Sequence, residues 1–113
     1  MSNKAIRFNE GKLRLDLLPI YPIRDTAAVF TFGATKYAPR NWEAGFPWSS
    51  VYASLQRHLM AWYSGEDFDP ESGLSHLAHA ACNLMMLQEF EYTKPLLDDR
   101  IKSLLPIRKK NDT

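Results

Sequence analysis

A single cysteine, Cys82, stands in the 113 residues. No intramolecular disulfide and no cysteine-based zinc finger can be built from it. It sits in the most apolar segment, where a free thiol is ordinarily a buried structural group. Charge of one sign is equally scarce. Fourteen Lys and Arg against 13 Asp and Glu leave a formal net charge of +1, which gives no electrostatic bias towards nucleic acid. Long apolar runs are also missing. The longest stretch free of Asp, Glu, Lys and Arg is Ser72–Gln88; it carries two histidines, an asparagine and a glutamine, and falls short of a membrane span. The start, MSNKAIRFNEGK, lacks the apolar core of a signal peptide. These absences make the cytosol the expected compartment, with neither membrane nor nucleic acid as a partner. The common chemical motifs are missing too. There is no Walker sequence, no G-x-G-x-x-G and no H-E-x-x-H, and no G-x-S-x-G. No adjacent His-Asp pair supports a histidine–aspartate phosphohydrolase.

What is present reads as one soluble domain over residues 1–113, with 45% apolar and 24% charged residues. Residues 1–20 form an N-terminal arm. Within it Ile6 and Phe8, then Leu13, Leu15 and Leu17, alternate weakly around the turn signal Asn9-Glu10-Gly11-Lys12, so a short hairpin or an extended arm is expected. Pro22 suits the first turn of a helix that ends near Lys36, with Gly33 inside it either for a close helix approach or merely tolerated. Ser49 or Ser50 would cap a second helix that runs to about Ser64. A third runs from Pro70 to about Tyr92 and is apolar nearly all round, as befits a central helix or a subunit interface. Leu96, Leu97, Ile101, Leu104 and Leu105 suggest a last short helix ended by Pro106. The polar tail 107–113 is expected to fray. The fold class is therefore all-α.

The chain is organised around Arg57–Asn83. All three histidines, His58, His76 and His79, lie in it, and Glu66, Asp69 and Glu71 lie between the first and second. Gly65 ends one helix, and Asp69-Pro70 reads as the start of the next. His76, His79 and Asn83 follow i, i+3, i+7 spacing and share a helix face. A polar stripe among Leu and Ala side chains must find partners or lose about 1–3 kcal/mol for each unsatisfied group. A divalent metal with a polyanionic ligand would suit carboxylate, imidazole and amide together. Asp69 can serve as a helix cap, as a metal ligand, or as both; His58 can be a satisfied core residue or part of the site.

Residues 36–48, KYAPRNWEAGFPW, form an aromatic and basic loop. Rings beside Asn and cationic side chains meet the needs of a nucleobase and a phosphate: a stacking face, an edge hydrogen bond and a countercharge. The structural alternative is a loop that packs over the core, with Trp42 and Trp48 as plugs.

Several of these pieces occur in a familiar order: NEGKLRLDLLP (9–19), GATKY (33–37), R-N-W-x-x-G (40–45), R-H-L-x-A-W (57–62), G-E-x-x-D-x-E-S-G (65–73) and H-L-x-H-A-x-x-N (76–83). Together they resemble the phage dATP/dGTP diphosphohydrolase family, MazG-like members of the all-α nucleoside triphosphate pyrophosphohydrolases. The resemblance implies a MazG-like helical bundle and a homo-oligomer, dimer or tetramer, in the host cytoplasm. It also implies Mg²⁺ or Mn²⁺, and cleavage of a purine deoxynucleoside triphosphate to the monophosphate and pyrophosphate. The wider family pattern, E-E-x-x-E on one helix and E-x-x-D on the next, is not reproduced. Glu66, Asp69, His79 and Asn83 are the metal candidates in its place. Glu66 or Glu71 would act on the attacking water, and Lys36, Arg40 and Arg57 would offset phosphate charge. Tyr37, Asn41 and Trp42 would hold the base, and Glu71, His58 and His76 would be further ligands or stand behind the metal ligands. The competing expectation is a non-catalytic helical module that binds a nucleotide or a host protein.

Overall fold

The structure is a computed structural model that describes residues 4–8 and 10–102. It is all-α: α1 (Ile20–Lys36), α2 (Trp48–Tyr63) and α3 (His76–Thr93) are linked with short 3-10 turns at Leu15–Leu17, Asn41–Ala44 and Pro95–Leu97. No strand forms among the described residues. The N-terminal segment is the extended arm rather than the hairpin, and its apolar side chains stand in solvent, Leu13 at 87% exposure.

α1 starts directly after Pro19 and carries Pro22 in its first turn, where a missing N–H costs nothing. α2 differs from expectation at its start. Neither Ser49 nor Ser50 is the capping residue; both lie inside the helix behind Pro47. The first-turn donor is satisfied from afar, as the Ser49 N–H donates to Asp99 Oδ1 at 2.8 Å. A carboxylate there also meets the positive end of the helix dipole. The far end of α2 follows its sequence signal. Gly65, at φ 102, lets the Glu66 N–H reach the Ala61 carbonyl and its own N–H reach that of Trp62, both at 3.0 Å, the two bonds of a Schellman motif.

α3 begins at His76, not Pro70. Asp69 accepts the N–H groups of Glu71 and Ser72 on Oδ1, but Gly73 at φ 73 breaks the chain before a helix can propagate. Ser75 then caps α3, accepting from Leu77 and Ala78. The last helix also falls short. Pro95–Leu97 is one 3-10 turn, and Asp98 draws the Arg100 N–H to its own side chain at 3.1 Å, a local bond that competes with helix. Leu104, Leu105 and the tail 107–113 lie outside the described residues.

α1 and α2 each pack on α3 rather than on one another. Two clusters make the core. Val29 of α1 meets Ala78 and Cys82 of α3, with Phe30, Leu74 and Met86 against them. Trp48 and Val51 of α2 meet the fully buried Phe90 of α3, with Trp42, Met86, Leu87 and Leu97 around them. The other side of α3 is uncovered, and Leu77, Leu84 and Met85 remain exposed there. The last turns of α2 are similar, with Leu59 and Trp62 partly in solvent rather than in the core.

Candidate functional site: a histidine–carboxylate cluster at the end of a cleft

The acidic loop between α2 and α3 folds back on itself. Its ends are tied by an antiparallel bridge between Phe68 and Ser75, and the Asp69 N–H donates to the Leu74 carbonyl at 2.8 Å while the His76 N–H donates to that of Asp67 at 3.0 Å. Asp69 and His76 are thereby held side by side at the start of α3, facing His58 on α2.

The three histidines form one group. His58 Nδ1 lies 2.9 Å from His76 Nδ1. The His58 ring also stacks on that of His79, with centroids 4.5 Å apart and planes 9° from parallel. His76 Nε2 lies 2.6 Å from Glu66 Oε1, and His79 Nε2 lies 2.7 Å from the Ser72 hydroxyl. Asp69 keeps Oδ2 for the histidines, 3.8 Å from His58 Nδ1. One ligating atom from each of His58, Asp69 and His76 lies within 4.8 Å of the others. An ionised Glu66 only accepts, so His76 carries its proton on Nε2. With that one proton on the ring, Nδ1 is the acceptor and His58 donates from Nδ1.

Burial pushes the His58 and His79 imidazoles below their ordinary value. For His58 the neighbouring His79 adds to that effect and Asp69 opposes it; for His79 Asp69 again opposes. Both rings are therefore neutral near pH 7, the form that offers a lone pair to a cation. For Asp69 burial works upward, but the N–H groups of Ser72 and Glu71 and the two histidines outweigh it, and its carboxyl lies below the usual value. The imidazoles of His58 and His76 with the Asp69 carboxylate make a donor set suited to a divalent cation.

His58 and Asp69 of the cluster line a cleft of about 880 Å³ between α1 and α2, floored by His79, Cys82, Asn83 and Met86 of α3. Burial raises the Cys82 thiol to about 11, so it is a structural thiol and not a nucleophile at neutral pH. The C-terminal half of α1 and residues 37–42 also wall the cleft.

The residues singled out in the sequence separate into groups. Lys36, Tyr37, Arg40, Asn41, Trp42, Asp69, Glu71, His79 and Asn83 all line the cleft. Glu66 does not; it is bonded to His76 at the rear of the cluster. Of the four metal candidates only Asp69 belongs to the group of converging ligand atoms, together with His58 and His76. His79 is bonded to Ser72, and Asn83 donates to Ser54 Oγ at 3.2 Å. Arg57 is exposed on α2 and is not among the residues lining the cleft. Lys36 is paired with Glu71, and Arg40 with Glu43. Trp42 packs against Phe30 and Phe90, with centroids 5.7 and 5.9 Å away, so it plugs the core as well as walling the cleft. Ser54 and Ser72 escaped the sequence reading. The i, i+4 spacing of Ser54 and His58 on α2 is the one signal that pointed to the former.

A family model described as dATP/dGTP diphosphohydrolase, N-terminal, matches residues 2–100. The chain is 34% identical over 96 residues to a protein of Salmonella phage PMBT28 named dATP/dGTP diphosphohydrolase, an alignment that covers 85% of this chain and 33% of the phage protein. The chain thus spans about a third of the length of that relative. No solved structure matches it.

Proposed function

Because the chain belongs to the dATP/dGTP diphosphohydrolase N-terminal family, we propose that its cleft binds a purine deoxynucleoside triphosphate and, with Mg²⁺ or Mn²⁺, cleaves it to the monophosphate and pyrophosphate. One observation carries this reading. A single cleft is lined both by His58 and Asp69 of the cluster and by an aromatic, amide-bearing and cationic loop. A triphosphate needs a cation-binding end, and a base needs a stacking and hydrogen-bonding end.

In this reading a divalent cation supplies charge neutralisation and Lewis acidity at the cluster. The chain's own groups do the rest. Lys36 and Arg40, at the rim, offset phosphate charge. Glu71 lines the cleft, which supports it as the carboxylate that would orient or deprotonate the attacking water; Glu66 is bonded to His76. Tyr37 offers a ring at the base end and Asn41 an edge contact, so purines are favoured over pyrimidines and dGTP over dATP. Exposed Leu77, Leu84 and Met85 on α3, with Leu15, Leu17 and Ile20 at the arm, support a homo-oligomer, and the host cytoplasm is its proposed location. Light scattering is expected to show a dimer or larger at micromolar concentration. Among the described residues no helix is long and apolar enough to cross a membrane.

A second reading, a non-catalytic module that binds a nucleotide or a host protein, is favoured by coverage: two-thirds of the phage relative lies beyond the matched part. The deciding experiment measures pyrophosphate release from dGTP and dATP with Mn²⁺, with and without chelator, beside equilibrium binding of a non-hydrolysable dGTP analogue. Chelator-sensitive release is expected. Binding without release selects the module, and fastest turnover of dCTP or dUTP overturns the base assignment.

A further inference from the structure

We infer that His58 Nδ1, His76 Nδ1 and Asp69 Oδ2 are the chain's cation ligands, that Glu66 positions His76 from behind, and that the site selects a transition-metal ion over Mg²⁺. This deepens the proposed function, which calls for a divalent cation and leaves open which side chains hold it and which metal they prefer.

The argument starts from Glu66. Its bond to His76 Nε2 fixes that ring's proton on the far nitrogen and turns the Nδ1 lone pair towards His58 and Asp69. A carboxylate behind a ligating imidazole is the usual way a metal-binding histidine is oriented. The two Nδ1 atoms stand 2.9 Å apart. Two nitrogens each about 2.0–2.1 Å from one ion stand about 2.9 Å apart at the right angle of octahedral coordination, and about 3.3 Å apart at the tetrahedral angle that Zn²⁺ adopts after a small opening of the pair. The separation held here by a hydrogen bond is thus one that two adjacent ligands can keep. Asp69 completes the set with Oδ2, because its Oδ1 is taken by the N–H groups of Glu71 and Ser72. Those two bonds anchor the carboxylate without using the oxygen that faces His58. His79 stays outside the set. Its Nε2 is held by Ser72 and its ring lies flat on His58, an arrangement that limits rotation of the His58 ring.

The preference follows from the donors. Mg²⁺ takes oxygen ligands and keeps its waters, whereas imidazole nitrogens suit Mn²⁺, Co²⁺ and Zn²⁺ increasingly along the first-row series. Two nitrogens out of three protein ligands therefore weigh against Mg²⁺. Three protein ligands also leave positions for phosphate oxygens. Binding requires one internal rearrangement. His58 releases its Nδ1 proton to water, which frees that lone pair for the ion, and takes a proton from water on Nε2, so the neutral ring changes tautomer with no net loss of a proton.

The test uses the full chain and metal ions alone, without nucleotide. Calorimetric titration is expected to show Zn²⁺ and Co²⁺ binding at least 100-fold tighter than Mg²⁺, with Mn²⁺ between. Co²⁺ should give visible d–d absorption that disappears in His58→Ala, His76→Ala and Asp69→Asn. Glu66→Gln should retain the spectrum and weaken affinity about 10–100-fold. Asn83→Ala should retain both, and His79→Ala should retain the spectrum. Circular dichroism of each variant without metal establishes folding, and His58→Asn and His76→Asn replace any alanine variant that fails to fold. Long-range ¹H–¹⁵N correlation with Zn²⁺ should show the His58 proton moving from Nδ1 to Nε2. Equal Mg²⁺ and Co²⁺ affinity, or an unchanged Co²⁺ spectrum in folded His58 and His76 variants, overturns the assignment. Because no substrate is present, metal selectivity without pyrophosphate release would leave this site standing and fail only the catalytic reading.

Discussion

Lys36, at the C-terminal end of α1, is ion-paired with Glu71 of the acidic loop. The pair joins two walls of the cleft, and both side chains remain substantially exposed, at 43% and 64%. Such a pair contributes no more than about 1 kcal/mol to stability. Its weight falls on binding, since a phosphate must draw Lys36 away from Glu71. Glu71→Gln is expected to leave the melting temperature almost unchanged, tighten a non-hydrolysable dGTP analogue several-fold and lower turnover. Tighter binding with undiminished pyrophosphate release would remove Glu71 from the chemistry.

Asp69 serves the loop with Oδ1 and faces His58 with Oδ2. Asparagine keeps an acceptor for the Glu71 and Ser72 N–H groups, much as it does at a helix cap. Asp69→Asn should therefore fold with stability within about 0.5 kcal/mol of the parent yet lose cation-dependent stabilisation and activity. Asp69→Ala should cost about 1–2 kcal/mol by urea denaturation, because both donors lose their partner. Full activity in Asp69→Asn would return the residue to a purely structural role.

Trp42 and Tyr37 separate packing from recognition. Trp42→Ala removes a ring seated on Phe30 and Phe90 and should destabilise the fold by about 3–5 kcal/mol, alongside any loss of purine affinity. Tyr37 is 65% exposed, and Tyr37→Ala should leave the thermal midpoint alone while weakening purine binding by about 1–3 kcal/mol. Unchanged affinity of Tyr37→Ala for the dGTP analogue would exclude it from the base pocket.

Two glycines should respond with opposite signs. A Cβ on Gly33 would meet nothing within 4 Å, so the glycine admits no close helix approach within the chain. Gly33→Ala is expected to stabilise α1 by about 1 kcal/mol. Gly45 has φ 101, and a Cβ there would lie 2.6 Å from Leu97 Cδ1. Gly45→Ala should destabilise by about 1–3 kcal/mol through strain. Denaturant midpoints for the two variants should fall on either side of the parent. A more stable Gly33→Ala that binds the analogue poorly would show the ligand's approach to the α1 backbone.

Acid should release the C-terminal segment from α2. Asp99 is held below the ordinary carboxyl value by the Ser49 hydroxyl and N–H, and Asp98 well below it by Arg100, with Lys102 adding. Both groups have folded values lower than unfolded ones, so their contribution is fully present above about pH 4 and is lost as pH falls through the folded values. The Trp48 indole N–H, bonded to the Lys94 carbonyl at 3.2 Å beneath the Arg100 guanidinium, is the reporter. Its NMR signal should hold from pH 7 to 4 and shift below that. Asp99→Asn should abolish part of the transition, and a signal already changing at pH 6 would contradict this origin.

The helical class, the span of α1 and the Gly65 stop of α2 were legible in the sequence because each rests on a local rule: apolar spacing, a proline in the first turn, a glycine at positive φ. The gathering of chemistry between Arg57 and Asn83 was legible for a similar reason, since all the histidines fall in one short stretch. The start of α3 was misread because Asp69-Pro70 carries a cap signal that Gly73 and Ser75 override a few residues later. Tertiary structure alone decided which groups converge. His58 and His76 lie 18 positions apart, on two helices whose relative rotation depends on how Trp48 and Val51 of α2 pack against Phe90 of α3. Helix periodicity put His76, His79 and Asn83 on one face, but it does not say which of them a neighbouring helix meets. Packing sent Asn83 to Ser54, His79 to Ser72 and His76 to His58 and Glu66, and so separated side chains that one stripe had grouped. The same holds for Trp42 and Trp48, whose aromatic loop suits a nucleobase and a core equally well until Phe30, Phe90 and Lys94 are brought against it.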